Sequence, residues 1–166
     1  MRIYKSEKLR SADVIFPDLS YKIVGCAYDV HNQIGGELKE KSYQKAMFVA
    51  LRAAGLAVKQ QVHYQVKYKE EPVGKYFFDF LVEDKIIVEI KVKCKKPLFR
   101  LRSDEMDNRV THFASSLVVI KSGYRFPRSY VRQVVEYLKV ANLKLAILIN
   151  FGADQVVAKR ILNSNS

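Results

Sequence analysis

The stretch over residues 76–92 constrains this chain more than any other. Two β-rich runs, 76–82 and 86–92, flank the polar turn Glu83-Asp84-Lys85, which is the pattern of a hairpin. A turn centred on Asp84 sets Val82 opposite Ile86, Phe80 opposite Val88 and Asp79 opposite Glu89. Side chains alternate along a strand. One face of the hairpin is therefore expected to carry Phe78, Phe80, Val82, Ile86, Val88, Ile90 and Val92, all apolar. The other carries Phe77, Asp79, Leu81, Ile87, Glu89 and Lys91. Directly opposed Cβ atoms stand ~5 Å apart, and like charges in that position repel. Something cationic belongs between Asp79 and Glu89. Lys91, on the same face, is one candidate and a divalent metal ion is the other. The plain alternative is a solvated cross-strand salt bridge, worth ~0–1 kcal/mol.

The rest of the chain is long enough and apolar enough to support such a hairpin. Its 166 residues are 49% hydrophobic, which suits a single globular domain over residues 1–166 rather than a disordered chain. Lys and Arg number 29 against 17 Asp and Glu, a net charge of +12. That excess favours a polyanionic partner, most often nucleic acid. Cys26 and Cys94 are the only cysteines. Neither has a neighbour at zinc-site spacing, so a structural zinc is not expected. Two distant thiols, and an N-terminus without the apolar core of a signal peptide, suit a reducing cytoplasm. No apolar run approaches the ~20 residues that span a bilayer, so no membrane partner is expected.

Read in order, the chain begins with an arm over residues 1–16. Pro17-Asp18-Leu19-Ser20 opens a helix, with Tyr21, Val24, Ala27, Tyr28, His31 and Ile34 at helical spacing and Gly35-Gly36 as its stop. A second helix is expected over 37–54, its apolar stripe being Leu38, Ala46, Met47, Ala50, Leu51 and Ala54, closed by Gly55. Val58, Gln60, Val62, Tyr64, Val66 and Tyr68 then alternate with polar residues as a strand. A turn over 69–74 leads into the strand bearing Asp79, so three strands form an antiparallel meander. A helix over 129–140, with Val131, Val134, Val135 and Leu138 inward, precedes a buried strand over 143–150 and an edge strand over 155–162. The expected fold class is α/β: a mixed central sheet, the meander plus a further strand, flanked by helices.

Paired carboxylates beside a lysine suit metal-dependent phosphodiester hydrolysis. Mg²⁺ takes oxygen ligands and keeps several waters; held between Asp79 and Glu89 it would polarise phosphate and acidify a bound water. Lys91 would orient that water or stabilise negative charge developing on the phosphate. Lys93, Lys95, Lys96, Arg100 and Arg102 continue directly from the Lys91 strand, and Arg125, Arg128 and Arg132 lead into the following helix. These are candidate phosphate contacts, whose affinity weakens steeply with salt. A solvated charge run is the competing reading.

Asp79 with Glu89-Ile90-Lys91 on adjacent strands resembles the PD-(D/E)XK nuclease superfamily. More closely, the chain resembles the GxxExxY family within it. The likeness rests on Leu19–Gly35 with its Val-His-x-x-aliphatic-Gly ending, on Glu40-x-x-Tyr43, on the 75–91 hairpin, and on Tyr137-Leu-Lys, 143–152 and Lys159-Arg-Ile. It implies a restriction-endonuclease-like core, a Mg²⁺ (or Mn²⁺) cofactor, and a nucleic-acid substrate, DNA before RNA. It further implies Asp79 and Glu89 as metal ligands, Lys91 as the catalytic lysine, and Glu40 as an additional acidic ligand; for Glu40 the alternative is a carboxylate favoured by the helix N-terminus. Tyr43 is either a donor at the site or core. Gln133-x-x-x-Tyr137 resembles the Gln-x-x-x-Tyr motif of RecB-like exonucleases, and i,i+4 spacing sets both on one helical face. His31 matches a family position, where a core histidine is expected ahead of a ligand. The chain departs from the family in having Glu37 at the motif's glycine, and in an apparent insertion at about 95–128. A non-catalytic nucleic-acid-binding module, or a protein-interaction subunit docking through the insertion, are the alternatives to a nuclease.

Overall fold

The computed structural model describes residues 15–92 and 126–163. Helices α1 (Pro17–Ile34) and α2 (Glu40–Ala53) precede strands β1 (Val58–Tyr68), β2 (Glu71–Val82) and β3 (Ile86–Val92); α3 (Arg128–Ala141), β4 (Leu145–Phe151) and β5 (Val156–Leu162) follow. The five strands form one mixed sheet in the order β1-β2-β3-β4-β5. β1, β2 and β3 are the expected antiparallel meander. β4 runs parallel to β3 and antiparallel to β5. A parallel neighbour requires a crossover, and α3 lies on it. The basic residues Lys93, Lys95, Lys96, Arg100 and Arg102, and the insertion expected at about 95–128 up to Arg125, lie outside the described residues. Among the described residues no helix is long and apolar enough to cross a membrane.

The helices cover both faces of the sheet. Ile23, Ala27 and Val30 of α1 and Tyr43, Met47 and Leu51 of α2 pack on Phe80, Val82, Val88, Ile90, Ile147, Ile149 and Phe151. Val134, Tyr137 and Leu138 of α3 pack on Phe78, Leu81, Ile87, Ala146, Leu148 and Ile161 from the other side. Covered on both faces, β4 is buried at all seven positions. Each large apolar side chain so buried contributes roughly 1.5–3 kcal/mol.

Four expectations change. The buried stripe of α1 is Ser20, Ile23, Ala27 and Val30, not the stripe through Tyr21, which is 78% exposed. Ala27 belongs to both stripes; Ser20, whose hydroxyl donates to Phe16 O at 2.7 Å, takes an inner position that a ranking by apolarity misses. Helix α2 starts at Glu40 rather than 37, and its inner stripe includes Tyr43 in place of Leu38 and Ala54. The turn expected over 69–74 shrinks to Lys69 and Glu70, both at positive φ, with Tyr68 paired to Glu71. A bulge at Val73 then restores the register: Val66 faces Gly74 but Lys67 faces Pro72.

The fourth change concerns the faces of β1 and β2. Gln61 takes a left-handed φ of 47°, between the Gln60–Phe80 and Val62–Phe78 pairs. The strands change face there. Val58 and Phe80 pack toward α1 and α2, whereas Val62 and Phe78 pack toward α3. Phe78 is thus not on the same side as Phe80, as strict alternation requires. Asp79 sits at the point of reversal.

Two loops on the α1 side lock together. Gly36 lies so close to the β4–β5 loop that a Cβ there would run into the carbonyl oxygens of Gly152 and Ala153. The His31 ring bonds the Gly152 carbonyl through Nε2 at 3.0 Å. The Tyr43 hydroxyl donates to Gly35 O at 2.6 Å and accepts from Leu38 N at 3.3 Å, and its ring stacks on Phe151 at 4.3 Å. His31 and Tyr43 are therefore core and loop-fixing groups. Together they set where α2 begins, and so where Glu40 stands.

Candidate active site

The hairpin register holds through Phe80–Val88, Leu81–Ile87 and Val82–Ile86. Beyond Phe80 the backbone pairing gives way to side chains. Asp79 Oδ2 accepts the Ile90 N–H at 2.7 Å, and Glu89 Oε2 accepts the Asp79 N–H at 3.4 Å. Each carboxylate thus takes a backbone donor from the strand opposite. This is the local reason that two acidic residues can face each other in a sheet.

The remaining partners come from both helical layers. Gln44 of α2 donates through Nε2 to Asp79 Oδ1 at 2.8 Å. Lys91 Nζ donates to Glu89 Oε1 at 2.8 Å and lies 5.3 Å from the centre of the Tyr130 ring on α3, a cation–π arrangement. Glu89 is only 4% exposed. A carboxylate this deep is costly unless paired and hydrogen-bonded, and here it is both.

One lysine does not balance two carboxylates. Burial, and then the charge of Glu89, push the Asp79 carboxyl from 3.8 up to about 7. Burial also raises Glu89, and Lys91 offsets only part of that rise. Burial works against the Lys91 ammonium, but Glu89 beside it, with Glu40 and Asp79, more than offsets this and raises it. The site carries excess negative charge, as the sequence pattern implied.

The other predicted residues fall around this centre. Glu40, the first residue of α2, is half-buried, and its charge reaches Asp79, Glu89 and Lys91. Among the described residues no group of three or more His, Cys, Asp and Glu stands in a metal-holding arrangement; two carboxylates are drawn together, with Glu40 beside them. Gln133 Nε2 donates to the Tyr137 hydroxyl at 2.6 Å, so the i,i+4 pair is formed. The Tyr137 ring packs against Phe78 and Tyr76 at 5.6 and 5.9 Å. Burial, then the negative charge of Glu89, push its hydroxyl to about 12. Arg128 and Arg132 are exposed on α3.

Three residues near the site were missed. Gln44 lies one helical turn beyond Glu40, on the same face, and that spacing was the available signal. Tyr130 precedes Gln133 by three residues and Tyr137 by seven, again one face of a helix. Asn150, buried on β4, stands in register with Lys91; its polarity within an otherwise apolar strand was the clue. Two surface grooves of about 420 and 370 Å³ lie elsewhere, lined by residues such as Cys26 and Asp29, or Leu56 and Glu83. Neither touches these carboxylates.

No curated protein matches the sequence at a significant level. Among solved structures the chain is similar to SSO0001, at 13% identity and a TM-score of 0.49, over 75% of this chain and 50% of that one. It is also similar to an alkaline exonuclease (LHK-Exo) from Laribacter hongkongensis, at 13% identity and a TM-score of 0.42, over 88% of this chain and 83% of that one. The chain spans about half the length of the first of these. A family model for the PD-(D/E)XK nuclease superfamily matches residues 17–108 and 100–161, a span that takes in the Asp79, Glu89 and Lys91 constellation, both flanking helical layers and the crossover, and on that match the chain belongs to the PD-(D/E)XK nuclease superfamily.

Proposed function

We propose that this chain is a metal-dependent nuclease that hydrolyses phosphodiester bonds in nucleic acid, with DNA the first polymer to test and RNA the second. The observation that carries the reading is the facing pair of half-buried Asp79 and buried Glu89, joined through backbone donors and compensated by a single lysine. The donor set is all oxygen, which suits Mg²⁺ or Mn²⁺. The raised Asp79 carboxyl marks a place where added positive charge is favourable. Asp79 and Glu89 would hold the ion, and the charge of Glu40 adds to the negative field there. When bound, the ion supplies Lewis-acid polarisation of a phosphate and a more acidic water.

The protein's own groups supply the rest. Gln44 and the Ile90 N–H fix the Asp79 carboxylate from two directions. Glu89 and Tyr130 hold the Lys91 ammonium in place, where it can stabilise charge developing on a phosphate oxygen. Gln133 and Tyr137 form a hydrogen-bonded wall on the α3 side. Arg128 and Arg132, with Lys93, Lys95, Lys96, Arg100 and Arg102 in the connecting stretch, would meet backbone phosphates.

The test is cleavage of labelled DNA and RNA with Mg²⁺ or Mn²⁺, against Asp79→Ala and Lys91→Ala. Either substitution is expected to lower the rate by roughly a hundred-fold or more. Equal cleavage by parent and variants would reject these assignments. Salt-dependent binding with no turnover in either metal would favour a non-catalytic binding module on the same fold. A crystal soaked in Mn²⁺ should show anomalous density between Asp79 and Glu89.

A further inference from the structure

The hairpin of β1 and β2 places an aromatic group at the surface. Phe77 is 58% exposed, although its strand neighbours Tyr76 and Phe78 pack into the α3 layer. His63 stands directly across from it in the ladder, and the two rings lie 6.1 Å apart with a tilt of 37°. The next pair outward is Gln65 opposite Lys75, both exposed. Phe77 therefore points away from α3, to the side from which Gln44 reaches Asp79. Asp79 is two positions further on, ~7 Å along the strand.

We propose that Phe77 and His63 form a stacking platform for an unpaired base of a single-stranded nucleic acid, with Lys75 meeting its backbone. The proposal rests on the nuclease reading and narrows it to substrates with unpaired nucleotides beside the scissile phosphate. Every base has a π-face, so aromatic platforms bind single strands with little sequence preference, and cationic side chains follow the backbone. A cross-strand pair of rings next to a lysine, on a chain of net charge +12, matches that chemistry in both shape and sign. In a duplex the bases are already stacked on each other, so a duplex gains nothing from the platform.

The chain contains no tryptophan, so Phe77→Trp installs the sole tryptophan on the platform, which can be excited selectively over the tyrosines. Binding of labelled single-stranded and duplex oligonucleotides is measured by anisotropy in EDTA, which prevents metal-dependent turnover, and thermal melts confirm folding. Phe77→Ala is expected to weaken single-strand binding by about ten-fold and to leave duplex binding unchanged. Phe77→Trp is expected to restore affinity, with fluorescence quenched along the same binding curve. Phe77→Ala should keep the parent's salt dependence, whereas Lys75→Gln should lower the slope by about one counterion. If the parent binds single strands and Phe77→Ala binds them equally well, the platform is overturned while the nuclease reading stands. Loss of a chain–chain dimer in Phe77→Ala, without loss of oligonucleotide affinity, overturns it in favour of self-association. Absence of single-strand binding by the parent also overturns the platform, while the nuclease reading is decided separately by the cleavage assay with Mg²⁺ or Mn²⁺.

Discussion

Replacing Asp79 with Asn should stabilise the metal-free protein, and the gain should depend on pH. In the folded chain the Asp79 carboxyl is raised from 3.8 to about 7, first by burial and then by Glu89. A raised acid holds its proton in the folded state while the unfolded chain releases it. The parent therefore loses stability as pH rises from about 4 to about 7, and the loss is complete above that window. Three pKa units at about 1.4 kcal/mol each set a ceiling of about 4 kcal/mol. Solvent reaching this half-buried group reduces the expected effect to about 2 kcal/mol. Asn is neutral throughout, and its amide oxygen still accepts the Ile90 N–H. Gln44 can turn its amide to offer an oxygen to the new NH₂ group. Urea unfolding followed by circular dichroism in EDTA should find Asp79→Asn more stable at pH 8 by about 2 kcal/mol, with the gap closing as pH falls toward 4. Adding Mg²⁺ should reverse the order, because only the parent holds the ion well. At a hundred times its dissociation constant a ligand contributes about 2.7 kcal/mol. A variant no more stable than the parent at pH 8, or a gap indifferent to pH, would refute the argument that this site is starved of positive charge.

Other consequences follow from single contacts. Lys91→Met removes the partner of a nearly buried Glu89 and should cost about 3 kcal/mol at pH 8, less at acid pH where Glu89 takes up a proton; chemical denaturation at the two pH values checks this. Gly36→Ala forces a methyl group against the Gly152 and Ala153 carbonyls and should cost roughly 2 kcal/mol or more, measured as a lowered melting temperature. Tyr43→Phe loses the hydroxyl's bonds to Gly35 and Leu38 and should cost about 1–2 kcal/mol by the same measurement. Arg128→Gln combined with Arg132→Gln should leave the fold unchanged and lower the slope of log affinity against log salt by about two.

The sequence alone determined what depends on chain-local periodicity. The short turn fixed the register that brings Asp79 against Glu89, because a strand's two-residue period leaves no freedom once the turn is set. The same periodicity placed Gln133 and Tyr137 on one helical face, and Pro17, Gly35 and Gly55 marked helix limits through backbone constraints that need no tertiary partner. Only the tertiary structure decided the rest. The change of face at Gln61 comes from one left-handed residue in a strand, which alternation does not reveal, and it carried Phe78 to the α3 side. Gln44 and Tyr130 became part of the site because α2 and α3 are packed on opposite faces of the sheet around one strand end. The raised Asp79 carboxyl also belongs to that packing. In an isolated hairpin water would solvate both carboxylates; helices on either side exclude it, and the same two residues become a place where a cation is favourable.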